Sequence, residues 1–216
     1  MNMATEAEIT EKTKAIMNEA GEDTNEGLLD EDTVRIDEYI RKCIPDAVSL
    51  VIQNSTGRCV NPRYASGSSA VSNGDGSGYI VVPDDYVRLV AFRMKGWKRT
   101  VAIPFMYGTP EAAMQSNRYT RGGKCKPACV EGRSASGRKT IEYYSIGKNE
   151  TPQVDMFVYE ASYDSMEGLP VSTSDPLFAA VCYMTASLVY AIFENQATSK
   201  EMQVIAINLL NNAVQH

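Results

Sequence analysis

The residues able to do chemistry gather in the middle of this 216-residue chain, where cations crowd around its only tryptophan. Arg93, Lys95, Trp97, Lys98 and Arg99 combine positive charge with a large π face, a mixture suited to neutralising phosphate and stacking on bases, or to anchoring a protein interface. Further cations stand at Arg118, Arg121, Lys124, Arg138 and Lys139, and these ten residues are the interaction candidates. The clustering predicts that Trp97→Ala combined with Lys98→Ala impairs assembly and leaves the helical fold intact. A tryptophan at this place could equally fill a core or a strand edge.

The other candidate chemistries are incomplete. Gly74, Gly76 and Gly78 form a Gly-x-Gly-x-Gly run, but Tyr79 to Val82 after it read as a strand, whereas a phosphate loop opens a helix. Cys125 and Cys129 are separated by three intervening residues without a nearby histidine, so a zinc shell would need two more ligands from a distance. The sole histidine is His216, which leaves no internal base to generate a cysteine thiolate. Asp84 and Asp85 come after Pro83 and read as a turn, since aspartates there accept local backbone hydrogen bonds. No catalytic residue, cofactor or metal is expected.

Composition bounds the class. A hydrophobic content of 44%, with twelve Tyr and five Phe, belongs to a folded chain, and no apolar run approaches the roughly 20 residues that span a bilayer. The first residues resemble no secretory signal, and five cysteines in no framework pattern fit a reducing cytoplasm. The net charge of −6 is unevenly spread: Met1 to Leu50 holds thirteen acids against five bases, whereas Asp84 to Lys148 holds thirteen of the twenty-one bases. Such asymmetry suits opposed faces of adjacent copies, a basic surface for nucleic acid, or simple solvation.

The elements that must carry these residues emerge from periodicity. A weak amphipathic helix is expected over Thr5 to Ala20, then an acidic loop from Gly21 to Asp32 with a cap near Asp32 or Thr33. A stronger helix bears Ile36, Ile40, Cys43, Ile44, Ala47 and Val51, and its stripe keeps phase across Pro45, which predicts one kinked helix rather than two. Asn54 to Gly78 reads as a loop, and Gly78–Val82, Tyr86–Lys95, Trp97–Ile103, Ile141–Ile146 and Val154–Tyr159 as strands around a turn-rich excursion from Tyr107 to Gly137. Two closing helices are expected: Asp175–Phe193, capped by Asp175 with Pro176 at its first position, and one from Thr198, whose hydroxyl and Glu201 are spaced as a capping box. Leu177, Val181, Met184, Leu188 and Ile192 stripe the first, and Met202, Ile205, Ala206, Leu209, Leu210 and Ala213 the second. The fold class is therefore α+β: N-terminal helices over 1–53, a β-rich insert with long loops over 54–170, and a C-terminal helix pair over 171–216.

The acidic first helices with Ile36, Tyr39 and Ile40, the run Val82-Pro83-Asp84-Asp85-Tyr86-Val87-Arg88-Leu89, Phe92 to Val101 with Trp97, and the closing helices around Ala180, Tyr183, Tyr190 and Lys200 to Leu210 carry a resemblance. The organisation resembles the head-to-tail connector proteins of tailed bacteriophages, the adaptor or ring proteins that dock under the portal, and is similar to the ring proteins of crAss-like phages. Tyr107 to Ser136 takes no part in it. The resemblance implies a non-enzymatic virion subunit at the head–tail interface, assembled in the host cytoplasm. It implies a homo-oligomeric ring, commonly twelvefold, that contacts the portal and tail or other neck proteins, lets DNA pass without reading its sequence, and has no membrane partner. The alternative is a nucleic-acid-binding accessory protein using the basic insert, and an enzyme with a site not visible in the sequence stands third.

Overall fold

A computed structural model of the chain describes residues 3–22, 33–55, 58–65, 67, 69–134, 136–147 and 150–212. The stretch 23–32 expected as an acidic loop, the cap at Asp32, Ala213 and His216 lie outside them. The fold is α+β and divides into two compact units, Met1–Asn61 with Ser162–His216, and Pro62–Ala161.

The first unit is helical. α1 (Glu6–Glu22) starts on a reciprocal capping box: the Glu8 amide donates to the Thr5 hydroxyl at 3.3 Å while the Thr5 amide donates to the Glu8 carboxylate at 2.8 Å. Those hydrogen bonds hold the Glu8 carboxyl below its ordinary range. α2 (Thr33–Asn54) runs unbroken through Pro45 and buries the expected stripe from Ile36 to Val51. α4 (Pro176–Ile192) is capped by Asp175, whose carboxylate accepts from the Leu177 amide at 2.9 Å, with Pro176 at the first helical position.

α4 is the hub, because α1, α2 and α5 (Gln196–Asn212) all pack on it. A helix enclosed this way should be apolar on most sides, and α4 buries residues far beyond one stripe, including Phe178, Ala180, Cys182, Ala186 and Val189. Of its expected stripe Leu188 is half-buried and Ile192 exposed, and in α5 Ile205 is exposed. The expected capping box at Thr198 is replaced. Glu194 turns the chain with a left-handed backbone (φ 62°), and the Asn195 side chain accepts from the Thr198 amide at 3.2 Å, so the helix starts earlier and Thr198 is buried within it. Small side chains let α4 and α5 approach: the Ser187 hydroxyl donates to the Ser199 carbonyl, and the Ser199 hydroxyl to the Ser187 carbonyl, each at 2.8 Å. Tyr190 ties α4 to α1 by donating to the Met17 carbonyl at 2.8 Å.

The second unit holds two sheets on one core. β1 (Pro62–Tyr64), β8 (Val154–Ala161) and β4 (Tyr86–Met94) form an antiparallel sheet in the order β1-β8-β4. β2 (Ala70–Ser72), β3 (Gly78–Val81), β7 (Lys139–Tyr143), β6 (Cys129–Arg133) and β5 (Phe105–Met106) form the other in the order β2-β3-β7-β6-β5, antiparallel except for the parallel β5–β6 pair. Ile80, Phe92, Met94, Ile141, Tyr143 and Phe157 are among the side chains that fill the shared core. Several expectations are corrected. The supposed loop 54–78 carries β1 and β2, the excursion 107–137 carries β6 and α3 (Pro110–Ser116), and 97–103 is no strand, its only ladder pairing with β4 being the single bridge Val101–Phe92. α3 rests on the sheet through Ala112, packed with Val130 and Tyr144.

Candidate interaction surface

All ten candidate residues fall in the β unit, and the structure sorts them into three groups. Trp97 is the main correction. Gly96, at φ 88°, turns the chain after β4 and folds Trp97 back into the core, 5% exposed, edge-on to Phe92 with ring centroids 5.8 Å apart. It offers no surface for stacking. Its indole N–H is buried with no hydrogen-bond partner among the described residues.

Six of the cations have partners inside the unit. Arg93 pairs with Asp155 across the β4–β8 sheet, and Lys95 donates to the Gln153 side chain at 2.9 Å. Lys124 reaches both oxygens of Glu150 at 2.9 and 3.0 Å, which holds that carboxyl below its usual range, and Arg138 lies 3.5 Å from Asp84. Lys139 sits 5.5 Å above the Tyr86 ring, a cation–π contact. Arg121, with a side chain only 12% exposed, donates to the Asp75 carbonyl at 2.8 Å and lies 3.4 Å from its carboxylate. It anchors a hairpin rather than facing a partner. The remaining three, Lys98, Arg99 and Arg118, are exposed and have no carboxylate partner among the described residues.

That hairpin explains the glycine run. β2 and β3 are joined at Asn73–Ser77, where Gly74 and Gly76 take positive φ of 79° and 89°. Gly78 lies beneath the hydrogen bond from the Tyr143 hydroxyl to the Val71 carbonyl, 2.8 Å, where any Cβ would collide with both oxygens. Asp75 accepts from the Ser77 hydroxyl and amide at 2.6 and 2.9 Å, and these bonds, with Arg121 adding a smaller share, push its carboxyl down. The run closes a turn and opens no helix.

The other sequence candidates separate as well. Cys129 is buried in β6, where desolvation raises its thiol well above the ordinary value, whereas Cys125 is exposed. Cys182, buried in the helical unit, is pushed up to about 12 by burial. Asp84 and Asp85 form the expected turn, with the Tyr86 amide donating to the Pro83 carbonyl at 3.1 Å, and Asp85 accepts from Tyr159 and Arg63. Among the described residues no three metal-ligating side chains converge.

Sequence reasoning missed an open apolar surface of the unit. Ile103, Phe105, Met106 and Tyr107 form an almost continuous exposed strip, Ile103 at 85%, Met106 at 57% and Tyr107 at 78%. It borders a groove of about 680 Å³ lined by Met106, Tyr107, Gly132 and the charged residues Glu131, Arg133, Lys139 and Glu142. Glu131 and Glu142 already accept from the Tyr86 and Tyr144 hydroxyls at 3.0 and 2.6 Å. The strip contains β5, an edge strand whose ladder with β6 covers only Phe105 and Met106, and the Met106 carbonyl accepts from the Thr109 amide at 3.2 Å. Its side chains are therefore what it offers. The available signal was a four-residue apolar run broken only by proline, shortly after Lys98 and Arg99. No protein-family model matches the chain, and no curated protein matches it.

Proposed function

We propose that the chain is a structural subunit of a tailed-bacteriophage neck, a homo-oligomeric ring that joins the portal to tail components and surrounds the exiting DNA. The observation that carries this reading is the partition of charge between the two units. Pro62–Ala161 holds fourteen Lys and Arg against nine Asp and Glu, a balance of +5, while the rest of the chain holds seven against eighteen, a balance of −11. A closed head-to-tail ring needs two different, mutually complementary surfaces on each subunit, and oppositely charged units supply them. Most candidate cations are already engaged within the β unit, which leaves Lys98, Arg99 and Arg118 for outside contacts and favours a protein partner over a continuous phosphate track.

Native mass spectrometry of the full chain, alone and mixed with the portal protein proposed as its partner, tests the reading. A discrete closed oligomer, formed alone or on the portal, is expected. A monomer indifferent to portal but retained on DNA with steep salt dependence would transfer the function to nucleic-acid binding through Lys98, Arg99 and Arg118.

A further inference from the structure

Resting on the ring reading, we infer that the strip Lys98–Tyr107 of one subunit docks on the α4–α5 hairpin of a second copy of this chain. The strip joins two cations without a carboxylate partner among the described residues, Lys98 and Arg99, to the exposed apolar side chains Ile103, Phe105, Met106 and Tyr107. Such a combination is costly to leave in water and matches the make-up of an interface core with a charged margin.

The α4–α5 hairpin carries the complement. Its corner exposes Ile192 and Phe193 beside Glu194, and the outward side of α5 exposes Val204 and Ile205 beside Glu201, with Lys200 also exposed one turn before Val204. Glu194 and Glu201 have no ionic partner among the described residues. α5 packs chiefly on α4, so the side of α5 turned from α4 is not covered by the helical unit itself. The corner is also fixed in shape: Phe193 packs edge-on against Tyr39 at 5.4 Å, and the Phe193 and Glu194 amides donate to α4 carbonyls at 3.2 Å. The occupant is identified by sign and by hydropathy. An apolar strip edged by cations in a unit of +5 fits an apolar hairpin edged by carboxylates in a unit of −11.

Charge exchange in the full chain tests this. The variants are Lys98→Glu with Arg99→Glu, Glu194→Lys with Glu201→Lys, and all four together, with self-association measured by sedimentation velocity at low salt and folding by circular dichroism. Each pair alone should weaken association by about tenfold, and the quadruple variant should recover most of that loss. Ile103→Asp, at an exposed position that spares the core, should weaken association independently. A photo-reactive residue at Tyr107 should cross-link to peptides within 192–205 of another copy. A ring that forms normally in these variants and cross-links elsewhere overturns this inference and leaves the ring reading standing. A chain that stays monomeric alone and with the portal overturns both.

Discussion

Replacing Trp97 separates a core residue from an interface residue, because the two roles predict opposite phenotypes. The side chain is only 5% exposed and meets Phe92 edge-on at 5.8 Å. Burying an aromatic of this kind removes roughly 150–250 Å², worth about 4–6 kcal/mol at 25 cal/mol per Å², and alanine keeps only a small part of it. Trp97→Ala should therefore cost about 3–5 kcal/mol, as large-to-small aromatic replacements do. For a chain of this size that lowers the melting temperature by roughly 6–20 °C. Trp97→Phe keeps an aromatic ring beside Phe92 and removes the buried N–H that lacks a partner among the described residues, so its cost should stay below about 2 kcal/mol. Thermal melts followed by circular dichroism read both, and the wild-type tryptophan emission should be blue-shifted until the transition. The reasoning fails if Trp97→Ala melts within about 2 °C of wild type or the native emission is that of a solvated indole. Combining Trp97→Ala with Lys98→Ala thus confounds a core defect with a surface change, and Lys98→Ala alone is the clean probe of assembly.

Gly78→Ala should destabilise the β unit by about 1–3 kcal/mol, seen as a lowered melting temperature, since its Cβ would collide with the Val71 carbonyl and the Tyr143 hydroxyl; an unchanged melt would contradict that packing. Ser187→Ala removes one hydrogen bond of the α4–α5 pair and should cost about 1 kcal/mol in denaturant titration, with Ser199→Ala similar and the double variant less than additive. Asp75, held below its ordinary range first by Ser77, stabilises the hairpin above the unfolded pKa near 3.9 and loses that contribution as the pH falls through the folded value. Asp75→Asn should accordingly be less stable than wild type at neutral pH and lose less stability on acidification, with hydrogen exchange at the Ser77 amide as the readout.

The length of each signal decides which elements are legible in the sequence and which are hidden. α4 and β4 are readable because a cap followed by proline, or a long β-branched and aromatic run, is written in consecutive residues. β6, with Glu131 and Gly132 at its centre, and α3, only seven residues long, fall below the reach of periodicity. The start of α3 is nonetheless marked. Thr109 caps Pro110–Ser116 by accepting from the Ala112 amide at 3.2 Å, the same cap-then-proline pattern that marks Asp175 and Pro176. The spacing of Thr198 and Glu201 points to a capping box, yet the box lies at Thr5 and Glu8, since the left-handed turn at Glu194 hands the cap of α5 to Asn195.

The candidate interaction surface is half legible. Counting charge locates the basic unit, but the ion pairs that consume Arg93, Lys124, Arg121 and Arg138 use partners 26 to 62 positions away, which no local spacing reveals. Trp97 misleads for the same reason. Its sequence neighbours are cations, while its spatial neighbour is Phe92, reached through the turn at Gly96.

Electron cryomicroscopy of the full chain mixed with the portal protein proposed as its partner tests the central claim most directly. A closed ring seated on the portal is expected, with Ile103 to Tyr107 of each subunit buried against the α4–α5 hairpin of its neighbour. Portal particles bare of the chain, with the chain itself remaining monomeric, would contradict it.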